Sequence, residues 1–234
     1  LGVYAYAVQI YCDFSAYSDI AVGCAQLMGF TFPFNFDAPY FSSTLQEFWR
    51  RWHISLSTWL RDYLYIPLGG SRCSRARTSV NLMTTFLLGG LWHGAAWQFV
   101  LWGFFHGSYL SLERVFLRWV RHSTPVTRML GRIWIFHVVC VSWLLFRSAD
   151  MATAAELVRG LFRAGETVLA SPQAFVVLVV GFCMQFLDAA RPAKLQDRIS
   201  AMPAWVQGLT AAAILVMILG MGPQGVAPFI YFQF

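Results

Sequence analysis

The sequence contains little charge. Only 12% of its 234 residues are Asp, Glu, Lys or Arg, whereas 58% are hydrophobic. A soluble domain does not need so much apolar sequence. Long runs such as 80–112, which has no Asp, Glu, Lys or Arg, are typical of integral membrane proteins. The composition therefore predicts an all-α, polytopic bundle of transmembrane helices.

Several short enzyme motifs are also absent. The sequence has no serine nucleophile elbow, phosphate-binding loop, dinucleotide-binding fingerprint or Cys/His spacing for a metal. Its five cysteines are odd in number and do not form the pattern of a disulfide framework. We therefore expect no metal. A histidine base in a membrane tunnel is the best mechanism left to an enzyme.

The net charge of +6 does not indicate nucleic acid as a partner. The arginines lie in short clusters between apolar runs, which is the distribution expected of cytoplasmic loops. In the order of spans predicted below, the basic clusters at 72–77, 118–132 and 191–198 fall on one side. By the positive-inside rule, we expect that side to be cytoplasmic.

The apolar runs predict the order of membrane segments. The run 80–112 is too long for one span of about 20 residues and fits a tight helical hairpin with its turn near 94–98. Because the chain begins inside an apolar run without an initiator Met, we expect 1–234 to be the C-terminal part of a single membrane domain. The other predicted segments are a span at 1–30, a loop at 31–43, spans at 133–146, 167–187 and 204–222, and an amphipathic segment at 151–162.

The segment 47–65 combines helical periodicity with unusual polarity. It is too polar to cross lipid alone, so we predict an interfacial or re-entrant helix packed within protein. One predicted face carries Trp49, Trp52, Leu56, Trp59, Leu60 and Tyr63, and a neighbouring face carries Arg50, His53, Ser57 and Arg61. The second face is suited to holding an anionic or carbonyl-bearing group, and a solvated interfacial face is the alternative.

His93 lies deep in the uncharged run, between Trp92 and Gly94. Its imidazole could take a proton from a hydroxyl, and the glycines around it allow a ligand or another backbone to approach closely. The alternative is a histidine that only forms a hydrogen bond to a neighbouring helix. We predict a supporting or packing role for His106, which lies on the returning arm of the hairpin.

Asp13 and Asp19 place two carboxyl groups in the first predicted span. They are six residues apart and do not closely share a helix face. They could line a polar tunnel or pair with Arg50 or Arg51, and we favour the pairing.

Four segments of the chain together resemble one enzyme family. They are 11–19, 48–70, 89–95 and 228–234, of which the second is long and specific. These segments are similar to the membrane-bound O-acyltransferase family (MBOAT), in the bacterial branch that contains the membrane subunit of alginate O-acetyltransferase. The resemblance covers nearly the whole chain.

The resemblance implies a multi-pass enzyme of the bacterial inner membrane, in contact with lipid, that passes an acyl group from a cytoplasmic donor toward a hydroxyl outside. It associates His93 with catalysis and makes His53 the second catalytic residue. It further implies acetyl-CoA or another acetyl thioester as donor, and as acceptor an exported polysaccharide such as alginate or a serine of a periplasmic acetyltransferase-like partner protein. The expected substrate-binding or donor-binding residues are Arg50, Arg51, Ser57, Arg61, Trp92, Asp13 and Asp19.

Two other functions remain open from the sequence. A related branch of the family transfers D-alanine to teichoic acid, and the genes beside this one would discriminate the two reactions. A transporter or channel could also place histidines and aspartates at mid-membrane, although no inverted repeat supports it.

Overall fold

The structure, a computed structural model, describes residues 2–116, 124–162, 172–183, 185 and 197–221. Within these ranges it contains helices joined by turns and loops, and no strands. Contacts divide the chain into two compact units, Leu1–Gln185 and Phe186–Phe234. The first unit contains α1 (Gly2–Leu27), α2 (Leu45–Arg51), α3 (Ile54–Leu60), α4 (Arg75–His93), α5 (Trp97–Phe116), α6 (Pro125–Arg147), α7 (Met151–Gly160) and α8 (Pro172–Cys183). A 3-10 turn at Pro39–Phe41 and a π-helical turn at Arg61–Tyr65 complete it, and the second unit contains α9 (Ala204–Met221). The all-α prediction is confirmed, whereas the single domain over 1–234 stays a prediction.

Helices α4 and α5 form the predicted hairpin, with the turn at 94–96. Ser74 caps the start of α4 by accepting a hydrogen bond from the backbone N–H of Arg77 at 3.3 Å. Two glycines let the helices touch through their backbones. A Cβ on Gly90 would fall on the carbonyl of Phe99, and a Cβ on Gly103 would fall on the carbonyl of Phe86. Small residues at such contacts are typical of helix pairs in membranes.

The polar segment 47–65, predicted as one helix, is divided, so its predicted continuity is wrong. His53 lies between α2 and α3 with φ 45° and ψ 55°, a left-handed conformation that interrupts a helix. The loop before α2 supplies the reason. The N–H of Ile54 donates to the carbonyl of Asn35 at 3.0 Å, and the N–H of Asp37 donates to the carbonyl of Arg51, also at 3.0 Å. Because the loop takes these backbone groups, the hydrogen-bond ladder of the helix stops there.

An aromatic core joins α2 to α6 and α1. The ring of Phe48 stacks on Trp52 at 5.6 Å, and Trp52 contacts Trp143 of α6 at 5.0 Å. Tyr40 lies beside them, and its hydroxyl donates to the carbonyl of Ala7 in α1 at 2.6 Å. All of these aromatic side chains are buried, so α2 is held within the protein as predicted.

Helix α6 is the one helix in the described ranges that is long and apolar enough to cross a bilayer, by length and composition. It contains the predicted span 133–146, and α9 corresponds to the predicted span 204–222. The predicted span 167–187 falls partly outside the described residues, and α8 forms within it. The amphipathic segment 151–162 contains α7, whose cap Asp150 accepts from the N–H of Thr153 at 2.7 Å. The multi-pass arrangement therefore stays a prediction.

Candidate functional site

A cavity of about 420 Å³ lies between the hairpin and the polar helices α2 and α3. The α4 residues that line it run from Leu82 to His93, a helical rise of about 16 Å. Because α5 returns antiparallel to α4, Trp102 lies near the His93 end and Arg114 near the Leu82 end. The wall of the cavity also contains Gln46, Trp49, Arg50, Ser57, Arg61, Tyr65, Thr85, Phe86, Gly89 and Glu113. The result is an elongated site with a histidine at one end.

His93 is the last residue of α4, and aromatic rings hold its half-buried imidazole in place. Phe146 of α6 and Trp102 of α5 contact it edge-on, with ring centroids at 5.0 and 5.4 Å. The adjacent Trp92 contacts it at 5.1 Å. Three sequence segments thus fix the orientation of one imidazole at the end of the cavity, as a positioned base requires.

The structure brings three other predicted residues to the same cavity. Arg50 comes from α2, Ser57 from α3, and Arg61 from the π-helical turn that follows α3. The guanidinium of Arg61 forms an ion pair with Asp62, whose carboxylate accepts two hydrogen bonds from it at 2.6 and 3.0 Å. The predicted cluster therefore faces the cavity despite the break in its helix, with the exception of His53.

Like the predicted site residue Trp92, His53 lies off the cavity wall. Its ring packs edge-on against Phe14 at 4.7 Å and against Trp92 at 6.3 Å. Its Nδ1 lies 3.3 Å from Oδ1 of Asn35, and the same oxygen accepts from the N–H of Ser55 at 3.1 Å. Trp92, with 58% of its surface exposed, contacts both imidazoles and so links the two predicted catalytic histidines.

Burial lowers the pKa of His53 to about 4, so the folded protein should resist its protonation. Since a histidine in the unfolded chain titrates near 6.5, the stability from neutral His53 is fully present above about pH 6.5. It should be lost as the pH falls toward about 4. Melting temperatures of the full-length protein in detergent at pH 7.5 and pH 5 should therefore differ more in the wild type than in His53→Gln. Equal differences would contradict a buried neutral His53.

The predicted pairing of Asp13 and Asp19 with Arg50 or Arg51 is wrong. Arg51 pairs instead with Glu47 at 3.1 Å and with Asp37 at 3.6 Å. Both carboxylates of α1 are exposed, and no ion pair involves them within the described ranges. In the sequence, Arg51 is closer to Glu47, one helical turn away, and to the loop that carries Asp37 than it is to the two aspartates of α1. Arg51, Asp13 and Asp19 all lie off the cavity wall.

Sequence reasoning missed several residues of the cavity and its surroundings. Glu113 and Arg114 are the first charges after the uncharged run 80–112, which is the signal that could have drawn attention to them. Trp102 lies inside that run among other aromatic residues, with nothing to distinguish it. Asn35 was predicted only as part of a loop, and its contact with His53 depends on the folded arrangement.

One family model matches the part of the chain that contains this site. The model of the membrane-bound O-acyltransferase family, MBOAT, matches residues 1–149, which is more than half of the chain. The chain belongs to this family. The matched range contains the hairpin, the polar helices and every predicted site residue.

Three relatives of this chain have different names and acceptors. A probable alginate O-acetylase of Azotobacter vinelandii is 39% identical over an alignment that covers 100% of this chain and 54% of the relative. A peptidoglycan O-acetyltransferase of Helicobacter pylori is 40% identical over 67% of this chain and 30% of the relative. A teichoic acid D-alanyltransferase of Bacillus subtilis is 31% identical over 62% of this chain and 40% of the relative. The chain spans about half the length of the alginate O-acetylases that it matches.

Proposed function

We propose that this chain carries the reaction centre of a membrane O-acyltransferase that moves acetyl groups to hydroxyls of an exported polysaccharide such as alginate. Family membership and the whole-chain similarity to alginate O-acetylases support the reaction class. The observation that carries the proposal is the cavity itself. It places His93 at one end of an elongated space whose wall contains Arg50, Ser57 and Arg61.

His93 acts as the general base in this proposal. The imidazole takes the proton of the acceptor hydroxyl while the hydroxyl oxygen forms a bond to the acyl carbonyl carbon. The carbon–sulfur bond of the donor then breaks, and the departing thiolate recovers the proton from the imidazolium, so that the products are an ester and a free thiol. His53 has a positioning role, because its ring packs against Trp92, which in turn contacts the imidazole of His93.

The donor is acetyl-CoA or another acetyl thioester. A rise of about 16 Å between Leu82 and His93 suits an extended thioester arm better than a compact ligand. Arginine guanidinium groups recognise phosphates through paired hydrogen bonds. Arg114 lies at the end of the cavity remote from His93, where the phosphate end of such a donor would bind. The identity of the donor can be tested separately from that of the acceptor, by measuring transfer of the label from isotope-labelled acetyl-CoA added to the full-length protein in detergent.

The enzyme works in the inner membrane as a multi-pass protein in contact with lipid. The arginine clusters between the apolar runs support this location and a cytoplasmic orientation for the donor end of the site. The acceptor is either the polymer or a serine on a periplasmic acetyltransferase-like partner protein that relays the acetyl group.

Mass analysis of the exported polymer tests the reaction. Cells that carry the full-length protein should export an acetylated polymer, and cells that lack it should export the same polymer without acetyl groups. Complementation with the wild-type gene serves as the control and should restore the acetyl mass. An unchanged polymer in the deletion strain would contradict polysaccharide acetylation.

D-alanyl transfer to teichoic acid is the second candidate, favoured by the 31% identity to the Bacillus subtilis teichoic acid D-alanyltransferase. The same base could serve it, because both reactions transfer an acyl group from a thioester to a hydroxyl and release a thiol. The genes beside this one discriminate the two. A carrier protein and its ligase favour alanylation, and genes for periplasmic acetyltransferase-like proteins favour acetylation.

A further inference from the structure

Helix α2 is tied to α5 at two points, and both ties come from polar side chains far away in sequence. The carboxylate of Glu113 accepts from the backbone N–H of Leu45 at 2.7 Å and from that of Gln46 at 3.0 Å. One turn further along α2, the indole N–H of Trp49 donates to Nδ1 of His106 at 3.3 Å. The two α5 residues are seven positions apart, so they face α2 from the same side of their helix.

The contact with Glu113 adds to an ordinary helix cap, which Thr44 supplies. The first N–H groups of a helix have no partner within it and usually bind a side chain just before the helix. In α2 the hydroxyl of Thr44 accepts only from the N–H of Glu47, at 3.0 Å. The two N–H groups before Glu47 depend on Glu113, which is 67 and 68 residues away. Because Leu45 is completely buried, water cannot replace this carboxylate at Leu45 without opening the contact.

The contact with His106 has one possible direction. An indole N–H can only donate, so Nδ1 of His106 must accept and the proton of the neutral ring lies on Nε2. His106 is completely buried between α5 and α2, and its ring packs edge-on against Trp49 at 5.1 Å. Trp49 also contacts Phe86 of α4 at 5.2 Å and therefore touches both arms of the hairpin.

We propose that His106 and Glu113 form a latch that positions the cavity wall opposite His93, an inference that rests on the proposed function. Trp49 and its neighbour Arg50 both line the cavity, and α2 carries them. The hairpin carries His93. The latch therefore holds the donor-binding side chains of α2 in place against the hairpin. His106 lies off the cavity wall, and Glu113, which lines it, acts through its hydrogen bonds to α2.

Substitution at His106 separates positioning from packing. His106→Asn keeps an acceptor on the same carbon that bears Nδ1, whereas His106→Leu fills the space without an acceptor. We expect His106→Leu to raise the KM for the acetyl donor about tenfold, the effect of one lost buried hydrogen bond, with kcat changed much less. His106→Asn should remain close to the wild type.

Trp49→Phe provides the matched test from the other side. It should raise the KM for the donor by a similar factor, and adding His106→Leu to it should have little further effect, because both changes remove the same hydrogen bond. It also keeps the latch testable if His106→Leu does not fold. Equal loss in His106→Asn and His106→Leu, or independent effects of His106→Leu and Trp49→Phe, would overturn the positioning role.

Hydrogen exchange tests the Glu113 contact without relying on activity. In Glu113→Ala, exchange of the α2 amides at Leu45 and Gln46 should be about tenfold faster or more, because the acceptor that protects them is gone. Glu156→Gln, a change of an exposed glutamate on α7, is the control and should leave α2 unchanged. Unchanged exchange in Glu113→Ala would overturn the latch. If exchange is faster in Glu113→Ala but the wild-type protein transfers no acetyl group, the result would support the latch and count against the proposed function.

Discussion

Replacement of His93 by alanine in the full-length protein should lower acetyl transfer by a factor of about 10² to 10⁴, the contribution of a well-placed general base. The imidazole is held at the end of the cavity by Trp102 and Phe146, so its loss removes the base without removing the wall that binds the donor. The KM for the donor should therefore change much less than kcat. Acetyl mass on the exported polymer and the rate of labelled acetyl transfer both measure the effect.

Two further variants make this result specific. His93→Gln keeps a polar side chain of similar size without a basic nitrogen, and it should be as inactive as His93→Ala. His137→Ala changes another histidine, which accepts from the hydroxyl of Tyr4 or donates to it at 3.0 Å on the exposed side of α6 and does not line the cavity. It should transfer acetyl groups normally. Normal acetylation by His93→Ala would remove His93 from the reaction.

Replacement of Gly103 by alanine should destabilise the protein by about 1 to 3 kcal/mol, the usual effect of forcing an extra carbon into a close-packed contact. The new Cβ would fall on the carbonyl of Phe86 and lie 3.1 Å from the Cα of Leu87, so the clash is with backbone that cannot rotate away. The arms of the hairpin would have to separate. Thermal unfolding of the full-length protein in detergent should show a lower melting temperature than that of the wild type.

Gly23→Ala is the matched control for this experiment. Gly23 lies inside α1, and a Cβ there has no neighbour within 4 Å. Because alanine favours a helix by about 1 kcal/mol over glycine, this variant should be as stable as the wild type or slightly more stable. If Gly103→Ala were equally stable, the two arms would not touch through this glycine.

The hairpin and its histidine were predictable because their signals are local. The run 80–112 lacks charge over a length that fits two helices, and glycines at its middle mark the turn. His93 is polar in an apolar setting, which identifies it as a candidate without any knowledge of its neighbours. Family motifs added a role for it that composition alone did not supply.

The break at His53 and the partners of Arg51 could not be predicted in the same way. Helical periodicity over 47–65 is continuous, yet the backbone of Asn35 and Asp37 competes for the hydrogen bonds of the helix. The aspartates of α1 were plausible partners for Arg51, but Glu47 and Asp37 are nearer in the fold. The competing backbone of Asn35 and Asp37 leaves no pattern in 47–65, whereas Glu47, one helical turn before Arg51, was a local signal that could have been used.

The helical class, the membrane-type composition, the hairpin with His93 at its turn, and the family could all be predicted from the amino-acid sequence. These depend on residue type, on spacing within one helix and on motif wording, all of which are local. The set of polar residues that share the cavity with His93, and the hydrogen bonds of Glu113 and His106 to α2, became known from the folded structure alone. Those contacts join residues 57 to 68 positions apart, and such contacts form only when distant backbone segments meet.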